Sequence, residues 1–280
     1  MTWILIAFIS PILHAFANIL DNYLTNKLFK SVWTMAFFSA FFAVVFLPLT
    51  FFIQIPGIPP VHLLPFFFII GLIEVFYLFP YYKALQDDDT SVVSSLFSIG
   101  KIFVPVFAFL LVGEILRPAQ YLGFIVIIFA SAALTLNNHG KFRFNKSLVY
   151  MLACSFMLSL EAVIYKYLFE SVSWSTGFVW TTIITFLIAA TFLLIPKLSK
   201  DIRNQVRNFK DSARIFTFEE LLTFSGAVTS TYVISLVPVT LEKSIDSFQP
   251  FFVLLYAIVL QRLYPRLFKE RIDGRSVSKK

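Results

Sequence analysis

Solid apolar runs of about twenty residues, each closed by a short polar or proline-rich link, follow one another along nearly the whole chain. A helix of that length crosses a hydrocarbon core of roughly 30 Å. The strict alternation of a membrane β-barrel's short strands is absent. The pattern predicts nine helical spans, near 2–21 (with an extension towards Lys27), 33–54, 61–83, 90–112, 120–136, 147–169, 176–195, 218–239 and 247–263. The link at 55–60 carries Pro56, Pro59 and Pro60 and cannot stay helical, because each proline removes a donor and clashes with the preceding turn. The longest polar stretch, 197–214, carries Lys200, Arg203, Arg207 and Lys210 and predicts a surface helix at the membrane interface.

Composition sharpens this into an all-α polytopic membrane protein. The 280 residues are 58% hydrophobic and 14% charged, with 36 Phe, and the mean hydropathy is +0.81. A soluble domain of this size carries far more surface charge. The single cysteine, Cys154, lies in an apolar run and reads as a packing residue. Residues 1–3 enter the first run with no basic flank and no small-residue cleavage site, which predicts a retained first helix. The net charge of +7 sits mostly in loops beside the spans. That placement suits anionic lipid headgroups as partners, not nucleic acid. Lys27, Lys30, Lys141, Arg143, Lys146, the 197–214 stretch and the tail share one side by this count, which places the N-terminus outside.

One stretch carries more than composition. Tyr81-Tyr82-Lys83-Ala84-Leu85 is followed by the acidic turn Asp87-Asp88-Asp89, an apolar run ending Val112-Gly113-Glu114, the turn Arg117-Pro118, and a second run opening Gln120-Tyr121-Leu122-Gly123. The spacing Tyr-x-x-Ala-Leu, then Gly-Glu-x-Leu-x-x-x-Gln-x-x-Gly, resembles the EamA-type family of the drug/metabolite transporter superfamily. The resemblance implies two inverted five-helix repeats. The first then covers 1–136, a basic link covers 137–146, and the second covers 147–280 with four visible spans. A tenth span belongs where the chain stops, so the last helix reads as missing through truncation. The resemblance also implies an N-terminus inside, opposite to the side the basic residues favour. Internal matches are few: Leu28-Phe29 and Ser31-Val32 against Leu168-Phe169 and Ser171-Val172 (168 − 28 = 140), and Ser98 and Val104 against Ser247 and Val253 (247 − 98 = 149). The latter register sets Pro250 opposite Lys101 and leaves Glu114 without a counterpart after the ninth span.

Ionisable groups inside spans need a partner, a water-filled cavity or a neutral form. Glu161, Glu74 and Lys101 lie within spans, and Asp21 lies nearer an end, where it reads as interfacial. In a transporter, Lys101 could hold an anionic substrate group and Glu161 or Glu74 could take and release a proton. The plainer alternative is that Lys101 pairs with one of those glutamates and locks two helices together. Gln249 beside Pro250 could join a freed backbone carbonyl in a polar site, with simple kinking as the alternative. Tyr81, Tyr82, Tyr232 and Trp180 could line a cavity or anchor at the interface. His14 reads as packing. Glu114 is expected to cap the fifth helix, and Asp87 to Asp89 to form a solvated turn. No catalytic pattern, metal-spaced cluster or cofactor loop stands out. The expected function is a secondary transporter in the cell membrane that moves a small organic solute by alternating access. The alternatives are a flippase or carrier for a lipid-linked molecule, and a non-transporting assembly factor. A homodimer is left open.

Overall fold

The computed structural model describes residues 2–27, 31–88, 90–133, 146–208 and 213–263. Lys30, Asp89, Lys210, the basic link up to residue 145 and the tail after Leu263 lie outside the described residues. The expectation of a missing last helix lies there too.

Within them the chain is helical, with no strand. The elements are α1 (Thr2–Lys27), α2 (Val32–Phe46, continued by a 3-10 turn over Leu47–Phe52), α3 (Leu64–Phe76), α4 (Leu78–Asp87), α5 (Thr90–Gly100), α6 (Phe103–Val112), α7 (Pro118–Ala133), α8 (Lys146–Phe169), α9 (Trp174–Ala190), α10 (Pro196–Asn208), α11 (Ala213–Leu236), α12 (Val239–Asp246) and α13 (Gln249–Leu263). Seven segments are long and apolar enough to cross a membrane: Thr2–Thr25, Val32–Phe52, Val61–Asp87, Thr90–Val112, Lys146–Phe169, Trp174–Leu194 and Val239–Leu260. Pro118–Ala130 is apolar but shorter. The remaining expected span, α11, falls below that hydropathy because Glu219, Glu220, Thr223, Ser230 and Thr231 share it with the apolar residues.

Prolines explain where the long spans break. A proline has no N–H to give the carbonyl four residues earlier, and its ring collides with it. Pro80 acts this way on Phe76, and α3 gives way to α4 at Tyr77. Pro105 acts on Lys101, which sits in a two-residue turn between α5 and α6; its carbonyl accepts from Val104 instead, at 2.9 Å. Pro250 acts on Asp246, the last residue of α12, ahead of the turn at 247–248. The sequence predicted one unbroken ninth helix from residue 247; instead this span begins at Val239 and is split. Pro250 lies in the first turn of α13, where a missing donor costs nothing. Pro238 ends α11 early and leaves the Ile234 carbonyl without its helical donor. The Lys166 ammonium fills that role, donating to Ile234 O at 3.3 Å and Val237 O at 3.1 Å.

The first and second halves interleave. α1 packs along α11 and α13, α2 against α9 and α11, α3 against α9, and α4, α5 and α6 against α8. Buried Leu24, Met35, Val75, Leu96, Met151 and Phe216 join these helices in one apolar cluster, while large apolar side chains such as Leu110, Phe129, Val149 and Leu187 face outward. Such a surface is stable where the solvent is hydrocarbon. α10 differs: Leu198 and Ile202 are buried beside α2, with Lys200 and Arg203 exposed. It is an amphipathic helix, in the stretch where the sequence predicted one.

Candidate substrate cavity

The interleaved helices enclose a cavity of about 240 Å3. Its wall draws on α1, α2, α3, α4, α5, α6, α8, α9, α11, α12, α13 and the proline-made breaks, so both halves of the chain contribute. The wall is unusually rich in acids for the middle of a membrane bundle.

One part of the wall is a closed ionic network. The Lys101 ammonium lies 2.6 Å from Asp246 Oδ2, and both residues are buried. Each sits at a helix break four residues ahead of a proline, with equal spacing in the two halves (246 − 101 = 145 and 250 − 105 = 145). Ser10 donates to Asp246 Oδ1 at 3.4 Å, and its hydroxyl is 3.2 Å from His14 Nδ1. Lys243 lies 3.1 Å from Glu242 and 4.0 Å from Asp246. It also donates to Ser230 (3.1 Å), which in turn donates to Glu242 Oε1 at 2.6 Å. Two ammonium groups thus meet two carboxylates. His14 is held tightly here: a Cβ added to Gly226 on α11 would lie 2.6 Å from its imidazole Nε2, so only glycine lets α1 and α11 approach this closely.

Elsewhere the acids have no cationic partner among the described residues. Tyr81 donates to Asp21 Oδ2 at 2.8 Å, and its hydroxyl lies 2.9 Å from the Asn18 side-chain amide. Asp21 Oδ1 is buried and meets no donor. Ser39 on α2 donates to Glu220, and Thr223 donates to Glu219 at 2.8 Å. Glu74 on α3 and Glu161 on α8 lie within electrostatic reach of each other, and Glu161 Oε2 receives no donor from an amide, hydroxyl or ammonium group. Tyr77, Tyr81, Tyr82 and Tyr165 fill the wall between these carboxylates.

All six site residues singled out from the sequence, Glu161, Lys101, Glu74, Asp21, Gln249 and Tyr82, line this cavity. Several of their surroundings differ from expectation. Asp21 is 6% exposed and faces inward; it is not interfacial, because α1 continues beyond it to Lys27. Tyr81 and Tyr82 are buried, not interfacial anchors. Lys101 pairs with Asp246, a residue the sequence reading passed over, and with neither glutamate. Glu114 does not cap the helix that follows it. Gly113, at φ 66°, turns the chain back, and the Glu114 carboxylate accepts from Val239 N at 2.8 Å and Thr240 N at 3.1 Å. It caps α12, 125 residues away in sequence.

Residues 1–136 match the model of the EamA-like transporter family, which belongs to the drug/metabolite transporter superfamily. Just under half of the chain is thus similar to the EamA-like transporters, and the apolar helices make it a multi-pass membrane protein. No curated protein sequence matches it. Among solved structures, one crystal structure of a protein with 15% sequence identity superposes with a TM-score of 0.60, covering 96% of this chain and 93% of its own. At that identity the likeness speaks for the fold alone.

The cavity also contains residues that sequence reasoning missed: Glu219, Glu220, Lys243 and Asp246. The first two opened an expected span and Lys243 sat in an expected link, and none of the three was singled out. A signal for Asp246 was present. The spacing Lys101-x-x-x-Pro105 recurs as Asp246-x-x-x-Pro250, and opposite charges at matched proline breaks mark an ion pair between two discontinuous spans.

Proposed function

We propose that this protein is a secondary transporter that carries a small organic solute through the central cavity by alternating access. The observation that carries the reading is the cavity itself: walled by both halves of the chain, lined by buried carboxylates and bounded by spans that break at Lys101 and Asp246. Discontinuous helices that meet at a polar site are how transporter folds present binding groups to a solute inside the bilayer. At about 240 Å3 the cavity is smaller than most ligand pockets, which run roughly 300–1,000 Å3, and suits a metabolite better than a lipid. Its acidic wall likewise favours a hydrophilic solute over the acyl chains that a lipid flippase would handle. The test is solute flux in vesicles reconstituted with the purified protein, across amino acids, sugars, nucleotides, organic cations and dicarboxylates. Saturable uptake of one class supports the reading. Folded protein that moves none of them while scrambling labelled lipid between leaflets would replace it with the flippase alternative.

A further inference from the structure

The cavity's charges are lopsided in a way that points to a class of solute; this inference rests on the transporter reading. Lys101 and Lys243 are already engaged by Asp246 and Glu242. What remains is acidic and falls into two stations. One is Asp21 with Glu219 and Glu220, where both glutamates are within electrostatic reach of Asp21. The other is Glu74 with Glu161. Neither station has a lysine or arginine within 4.0 Å among the described residues, Lys243 reaching Glu74 and Glu161 only at longer range, and a buried carboxylate without a close counter-charge is costly inside a membrane. A second observation points the same way. Asp21 Oδ1 is buried at the cavity wall with no donor in reach, so one face of the carboxylate is left for a ligand's N–H.

No three Asp, Glu, His or Cys side chains among the described residues converge closely enough to hold a metal ion. Glu74, Tyr77 and Tyr81 recur at helical spacing along α3 and α4, and Tyr81 holds Asp21. Seven residues of helix set the two stations roughly 10 Å apart. Tyr77 lies between them, within electrostatic reach of Glu74, Glu161 and Asp21, with its ring 6.5 Å from that of Tyr81. An aromatic face between two acidic ends accommodates an alkyl chain and favours the ammonium groups at its tips.

We infer that the solute is an elongated organic cation, a linear diamine or triamine, with one ammonium group at the Asp21–Glu219–Glu220 station and the other at the Glu74–Glu161 station. The test uses the detergent-purified full chain and follows thermal unfolding and direct binding with spermidine, cadaverine, n-butylamine, adipate and a neutral diol. Spermidine and cadaverine are expected to raise the unfolding temperature and to bind at least about ten-fold more tightly than n-butylamine, since each end adds a charge-assisted contact. Asp21→Asn and Glu161→Gln should each weaken spermidine about ten-fold or more while leaving n-butylamine far less changed. Equal stabilisation by adipate or the diol would overturn the inference, as would spermidine and n-butylamine binding equally to the parent protein, a comparison that needs no variant to fold. The same panel offered to reconstituted vesicles separates the two failures. Saturable flux of an anion or neutral solute would leave the transporter reading standing and sink the cation, whereas no flux of anything would sink the reading beneath it.

Discussion

The two ends of the cavity wall treat charge in opposite ways. Around Lys101, Lys243, Glu242 and Asp246, every ionisable group has an opposite charge within 4.0 Å, and Ser10 and Ser230 fill remaining hydrogen-bonding positions. Around Asp21, Glu219, Glu220, Glu74 and Glu161, hydroxyl groups from Tyr81, Ser39 and Thr223 are the protein's donors, and carboxylates face carboxylates. The first arrangement pairs every charge and joins α5, α6 and α12 at their breaks. In the proposed reading, the second is completed by the solute. A buried group can thus be a strut or a binding group at similar depth, and its partners tell the two apart where burial does not.

Breaking the closed network should have the largest effect on stability. Lys101→Ala leaves Asp246 buried with Lys243 at 4.0 Å as its remaining cation, and loss of one partner from a buried pair costs about 3 kcal/mol or more. Thermal unfolding in detergent should show a clear fall, and a Lys101→Met, Asp246→Leu double variant should recover much of it. An unchanged unfolding temperature for Lys101→Ala would mean that the pair contributes nothing to holding the breaks. At the open end the effect should be on function: Glu161→Gln relieves a carboxylate facing a carboxylate, so stability should hold within about 1 kcal/mol, while solute flux drops about ten-fold or more. Smaller still is the cap across the two halves. Glu114→Ala removes the acceptor for Val239 and Thr240 and should cost about 1 kcal/mol in thermal unfolding. Lys166→Met, which frees the Ile234 and Val237 carbonyls at the end of α11, should cost about as much or slightly less. A larger loss for Lys166→Met than for Lys101→Ala would invert the ranking and place the main strut at Pro238.

The sequence made the membrane class legible because apolar runs of span length have few other uses, and the residues from Tyr81 to Gly123 carried the family. It also supplied Glu161, Glu74 and Lys101 as cavity residues, since charges deep in apolar runs have nowhere else to go. It was less clear at the margins of runs. Glu219 and Glu220 lie near the start of α11, where a charge ordinarily meets water, and their burial follows from the packing of α11 along α1 and α2. Asp246 was obscured because Pro250 was weighed with its neighbour Gln249 and set opposite Lys101, not opposite Pro105. The geometry follows from pairing it with Pro105, which frees the carbonyl of the opposite charge. Glu114's reach to α12 had no signal in local spacing at all; it depends on the left-handed Gly113 and on a helix that begins 125 residues later.

The division of the cavity into a strut and a binding region is tested most directly by measuring unfolding temperature and solute flux on the same preparations of Lys101→Ala and Glu161→Gln. A crossed pattern is predicted. Lys101→Ala unfolds at a markedly lower temperature, and Glu161→Gln unfolds like the parent but loses most of its flux. If Glu161→Gln transports at the parent's rate, the unpaired carboxylates are not where the solute binds, and the division fails.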